Sequence, residues 1–115
     1  MSSSKTALVT GGNKGIGFAI CKGLSDKGFN VFLAARDVDK GEDAVNKLSS
    51  DSNSVQLIQL DVTNDESIKS AVENVSRKTD SLDVLVNNAG IYPDLRGLEQ
   101  LTKGFKIMKL ENRRW

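Results

Sequence analysis

At 115 residues, with 38% hydrophobic and 27% charged side chains, the chain has the make-up of one small globular domain. A net charge of +1 gives no reason to expect nucleic acid or an anionic membrane as a partner, and no apolar run approaches the roughly 20 residues that span a bilayer. One cysteine and no histidine exclude an intramolecular disulfide and leave no zinc-binding set.

Met1-Ser-Ser-Ser-Lys-Thr6 lacks the apolar core of a secretory leader, so a reducing, cytoplasmic setting is expected. Ala7-Leu8-Val9 is a short buried strand that ends at Thr10-Gly11-Gly12. Ile16, Ala19, Ile20 and Leu24 then recur at helical spacing, and Gly28 stops that helix as a C-terminal cap. Cys21 lies beside this stripe and reads as a small core residue rather than a reactive thiol. Asn30 to Ala35 is the second strand, and Ala44, Val45 and Leu48 give the following helix a short apolar face. After the polar loop 49–54 comes a third strand, Val55 to Leu60. Thr63 and Glu66 fit a capping box, with Ile68, Ala71, Val72 and Val75 as the stripe of the third helix. Leu82 to Val86 is the fourth strand, ending in Asn87-Asn88-Ala89-Gly90.

Strands separated by helices imply parallel pairing with right-handed crossovers, and the near-continuous apolar runs suit strands covered on both faces. The expected fold is α/β, a Rossmann-type parallel sheet in order 3-2-1-4 with helices on both faces, truncated after the fourth strand. Residues 1–91 form the half-domain and 92–115 a divergent basic tail. The tail changes character. Residues 1–95 carry ten basic and thirteen acidic side chains, whereas residues 96–115 carry six basic and two acidic. Leu98, Leu101, Phe105 and Met108 place part of it in a helix that Gly97 and Gly104 weaken.

Four segments carry chemistry. Gly11, Gly15 and Gly17, spaced Gly-x-x-x-Gly-x-Gly between a strand and a helix, allow a pyrophosphate to approach backbone amides at a helix N-terminus. At the end of the second strand, Arg36 can stack on adenine and pair with a ribose 2′-phosphate, with Lys14 and Lys40 as further cations. Asp37 is the competing feature, since an inward carboxylate there favours a free ribose and NAD. Asp61 binds the adenine amino group or, equally, serves the turn and the next helix. After the fourth strand, the small residues Ala89 and Gly90 let a nicotinamide ribose lie across the strand end, and Asn87 can tie neighbouring strands.

In this order the segments resemble the short-chain dehydrogenase/reductase family over residues 5–91. Leu60-Asp-Val62 and Leu82-Asp-Val-Leu-Val-Asn-Asn-Ala-Gly-Ile91 carry the likeness with the glycine turn. Gly11-Gly-Asn-Lys-Gly-Ile-Gly17 and Ala35-Arg-Asp-Val-Asp-Lys-Gly41 look most like the NADPH-dependent carbonyl reductases. The resemblance implies NADP(H) as cofactor and an aldehyde, ketone or quinone as substrate. It also implies Asn13, Lys14, Ile16, Arg36, Lys40, Asp61, Val62 and Asn88 as cofactor contacts. The family reduces carbonyls with a Ser-Tyr-Lys set helped by an Asn, the Tyr and Lys standing as Tyr-x-x-x-Lys. Here the only tyrosine, Tyr92, follows the Asn-Asn-Ala-Gly turn directly and is four residues from Arg96, not from a lysine. Asn112 stands where the resemblance places the catalytic Asn, but Arg113-Arg114-Trp115 departs from the family's continuation. The expectation is a nucleotide-binding half without the catalytic set. The alternative is a non-enzymatic binding or regulatory isoform that pairs through the exposed edge of its fourth strand.

Overall fold

The computed structural model describes residues 5–49, 54–86 and 88. The tail from 92 to 115, Asn87, Ala89, Gly90 and Asn112 lie outside the described residues.

Thr6-Ala-Leu-Val-Thr10 is buried along its whole length and forms β1 (Thr6–Thr10). It is followed by α1 (Gly15–Asp26), β2 (Asn30–Ala35), α2 (Val38–Leu48), β3 (Ser54–Gln59), α3 (Asp65–Lys78) and β4 (Val84–Val86). The four strands form one parallel sheet in the order β3-β2-β1-β4, as the alternation of periods predicts. Thr6 pairs in register with Asn30, Ala7 with Val84, and Asn30 with Ser54. This register aligns the C-terminal ends of the strands, where the glycine turn, Arg36 and Asp61 emerge.

Each face of the sheet has its own core. Leu8, Phe32, Ala34 and Ile58 pack with Ile68, Ala71 and Val75 of α3. Val9, Val31, Leu33 and Ala35 pack with Cys21 of α1 and with Ala44 and Leu48 of α2. The helices therefore cover both faces. Gly28, at φ 91°, ends α1. The Phe29 amide donates to Leu24 at 3.1 Å and the Gly28 amide to Ser25 at 3.0 Å, the paired bonds of a Schellman motif.

Three local expectations change. The sheet-facing side of α1 is Gly17, Cys21 and Ser25, not a stripe starting at Ile16; Ala19 is exposed and Ile16 is 73% exposed. Small residues let the helix sit close on the sheet, which turns the larger Ile16 outward. Second, the burial on both faces that the near-continuous apolar runs suggest is complete in β1 and nearly so in β2. At the sheet edge β3 exposes Gln56 and Gln59, and β4 is half-buried throughout. Third, α3 is capped by Asn64, whose side chain accepts the Ser67 amide at 3.0 Å, and not by a Thr63–Glu66 box. Thr63 is committed elsewhere. Its hydroxyl and its amide both donate to Asp61.

Candidate functional site at the C-terminal edge of the sheet

The turn from β1 to α1 is shaped by its glycines. Gly11 and Gly15 have φ of 64° and 60°, in the left-handed region that side chains disfavour. Gly17 is required for a different reason. A Cβ there would overlap the carbonyl oxygen of Gly11 and lie 2.5 Å from Nδ2 of Asn88. Gly12 likewise has no room, with Cys21 Sγ and Leu33 Cγ each 2.9 Å from a built Cβ. The chain thus folds flat against the first turn of α1.

Residues 70 and more positions away hold this turn. The Thr10 hydroxyl, almost fully buried, accepts the Asn88 amide at 2.8 Å and donates to the Val86 carbonyl at 3.3 Å. Asn88 Nδ2 donates to the Gly11 carbonyl at 3.3 Å, and the Gly12 amide donates to Ala34 at 3.1 Å. The ends of β1, β2 and β4 are therefore linked around the glycine turn. The sequence makes Asn87 a candidate for such a tie, and Asn87 lies outside the described residues. Among the described residues Thr10 and Asn88 make it.

The N-terminus of α1 differs from the other two. Lys14 occupies the cap position without a side-chain cap bond, and the first turn holds no acidic residue. By contrast α2 and α3 have side-chain caps and acidic first turns. The first amides of α1 and the positive end of its dipole are thus left for an anion, which the glycines allow to come close. Lys14 and Ile16 are exposed at this opening, and Asn13 is half-buried.

Arg36 and Lys40 are exposed at the end of β2 and in the first turn of α2. Asp37 is the N-cap of α2. Its Oδ1 accepts the Lys40 amide at 3.1 Å, so the carboxylate is engaged on the helix. Gln59 Nε2 donates to the Arg36 carbonyl at 3.4 Å, and the Leu60 amide donates to Ala35 at 3.0 Å. These bonds bring the ends of β2 and β3 together. Asp61 is half-buried beside them. Bonds from the Thr63 hydroxyl and amide hold its carboxyl below the usual carboxylate range, the Arg36 charge adds to this, and partial burial opposes it. Val62 directs its side chain into the core on the α3 side.

The sequence places Thr10 only in the turn and Thr63 only in a helix cap, and singles out no role for Gln59; the bonds these three make to Asn88, Asp61 and Arg36 emerge with the fold. Gly41 was also missed: a Cβ there would lie 2.5 Å from Leu57 Cδ1, so glycine brings α2 down onto β3. Among the described residues no group of His, Cys, Asp and Glu is arranged to hold a metal, and no helix is long and apolar enough to cross a membrane.

The family model for short chain dehydrogenases matches residues 5–112, and the chain belongs to that family. The match runs past Ile91, where the sequence likeness was drawn to a close. The chain is 50% identical over 93 residues to the NADPH carbonyl reductase 1 of Mus musculus, covering 79% of this chain and 34% of that protein. It is 47% identical over 93 residues to salutaridine reductase of Papaver somniferum, covering 79% of this chain and 30% of that protein. Among solved structures, an actinorhodin polyketide ketoreductase variant with NADPH superposes at TM-score 0.86 and 28% identity. That overlap covers 98% of this chain and 51% of the other. L-sorbose reductase of Gluconobacter frateurii, complexed with NADPH and L-sorbose, gives TM-score 0.82 and 29% identity over 92% of this chain and 48% of the other. The chain spans about a third of the length of the curated relatives it matches.

Proposed function

We propose that this chain is the NADP(H)-binding portion of a carbonyl reductase-like oxidoreductase, and that the 115 residues by themselves do not reduce a carbonyl. The observation that carries the cofactor reading is the division of labour at the end of β2. Asp37 caps α2 through Oδ1, while Arg36 and Lys40 stay exposed after β2 and Lys14 stays exposed at the uncapped N-terminus of α1. A carboxylate with one oxygen committed to the cap competes less for the ribose, and the cations suit a 2′-phosphate. The NADPH named in the relatives and neighbours supports the same cofactor.

On this reading the α1 amides and Gly11, Gly15 and Gly17 receive the pyrophosphate. Arg36, with Lys14 and Lys40, holds the adenosine phosphate, and Asp61 with the Val62 backbone borders the adenine. Asn13, Ile16 and Asn88 contact the cofactor, and the small residues Ala89 and Gly90 leave room for the nicotinamide ribose. Bound NADPH supplies the hydride that full-length relatives deliver to an aldehyde, ketone or quinone. The proton donor of that reaction belongs to a Ser-Tyr-Lys set that the 115 residues do not contain: the only tyrosine, Tyr92, is followed four residues on by Arg96 and not by a lysine. Residues 1–91 act as the half-domain, 92–115 as a basic tail, in a cytoplasmic setting.

Titration with NADPH, followed by its fluorescence, tests this reading. NADP⁺ is expected to protect the fold from heat more than NAD⁺. Equal protection refutes the cofactor assignment, and carbonyl reduction by the purified chain refutes the inactive one. A second reading has one observation in its favour. Val84, Leu85 and Val86 are half-exposed, and among the described residues β4 has a strand neighbour only on the β1 side. A binding or regulatory role through this edge requires self-association or a partner. A strictly monomeric chain in size-exclusion chromatography, with nothing captured on it, refutes that role.

A further inference from the structure

Asp61 is held from three directions. Its amide donates to Ser67 Oγ at 2.8 Å, and Ser67 in turn donates its amide to the Asn64 cap at 3.0 Å, so the main chain is pinned by the first turn of α3. One carboxylate oxygen, Oδ1, accepts the Thr63 amide at 2.9 Å and the Thr63 hydroxyl at 2.6 Å. Thr63 itself is exposed. Burial does not demand this pairing, since water would satisfy both groups. Its effect is on orientation: two bonds to one oxygen lock the carboxylate, and Oδ2 takes no part in either of them.

We propose that Thr63 is a positioning residue for adenine recognition, holding Oδ1 of Asp61 so that Oδ2 accepts the exocyclic amino group of the base. This deepens the dinucleotide reading above and rests on it. The neighbourhood fits an adenosine end. Asp61 follows β3 beside the end of β2, and Gln59 anchors the Arg36 carbonyl there. The same Thr63 bonds lower the pKa of the Asp61 carboxyl, and an ionised carboxylate only accepts hydrogen bonds. An amino group therefore suits it, whereas the carbonyl oxygen of hypoxanthine at the same ring position is repelled.

The test compares binding of NADPH with that of its hypoxanthine analogue, using the full 115-residue chain. The wild type is expected to prefer the adenine cofactor. Thr63→Val is expected to reduce that preference about tenfold, the worth of one charged hydrogen bond. Thr63→Ser, which retains the hydroxyl, is expected to restore it. Carbon-13 NMR of the Asp61 carboxyl should show its pKa rising in Thr63→Val and staying low in Thr63→Ser. A preference unchanged in Thr63→Val overturns the proposal, as does a wild type that binds both bases equally while still binding NADPH. A wild type that does not bind NADPH overturns the dinucleotide reading and this inference with it.

Discussion

Replacing Gly17 by alanine tests whether the glycine turn is built by packing rather than by sequence habit. The added methyl meets the Gly11 carbonyl oxygen, the Gly11 carbonyl carbon at 2.9 Å and Asn88 Nδ2 at 2.5 Å. Two of these atoms are backbone and cannot rotate away. Overpacking against backbone sits in the upper part of the usual range, about 2–3 kcal/mol, and the better helix propensity of alanine offsets about 1 kcal/mol, for a net loss of about 1–2 kcal/mol. A domain of this size loses about 4 °C of melting temperature per kcal/mol, so a fall of about 4–8 °C is expected by circular dichroism. Gly23, in the same helix, supplies the control. Nothing lies within 4 Å of a Cβ built there. Gly23→Ala should therefore stabilise the chain by about 0.5–1 kcal/mol. NADP⁺ binding should weaken in Gly17→Ala, because moving the Gly11 carbonyl opens the turn, and should be unchanged in Gly23→Ala. Melting temperatures that shift in the same direction in both variants would refute the reasoning.

Arg36→Ala should weaken NADP⁺ binding by about 1.5–3 kcal/mol, the range for hydrogen bonds to a charged group, while leaving NAD⁺ binding little changed in calorimetric titration. Asp37→Ala should cost about 1 kcal/mol of stability through the lost α2 cap, and Asp37→Asn, which caps equally well, should cost almost nothing in urea denaturation. Burial pushes the Cys21 thiol up to about 12 from an ordinary 9.0. The unfolded thiol ionises first, so the folded state is expected to lose stability as pH rises from 9.0 towards 12. Near neutral pH, thiol reagents should label Cys21 at the rate of opening of the fold, and immediate labelling of the folded chain would contradict its place in the core.

Much of this protein was set by local sequence. Short apolar runs bounded by turn residues mark the strands and the helical period marks the helices, because a strand covered on both faces is apolar throughout whereas a helix buries one stripe. The glycine turn, Arg36 and Asp61 were legible for the same reason: a strand end followed by a helix start is a local event. The parallel order β3-β2-β1-β4 followed from alternation and crossover handedness alone.

Contacts between distant positions decided the rest. Ile16 shares the spacing of an apolar stripe, yet Gly17, Cys21 and Ser25 face the sheet, because only small side chains fit that close approach. Both Thr63 and Asn64 are competent helix caps by residue type. Tertiary structure chose Asn64 once Asp61 had taken the Thr63 hydroxyl. Asp37 reads in sequence as a possible ribose acceptor, and the folded backbone assigns its carboxylate to α2 instead. The Thr10–Asn88 tie, and the Asn88 part of the wall that forbids a side chain at Gly17, exist only once β4 pairs with β1. Spacing along a chain fixes which faces can exist, whereas the competition among polar groups for partners is settled only when the strands come together.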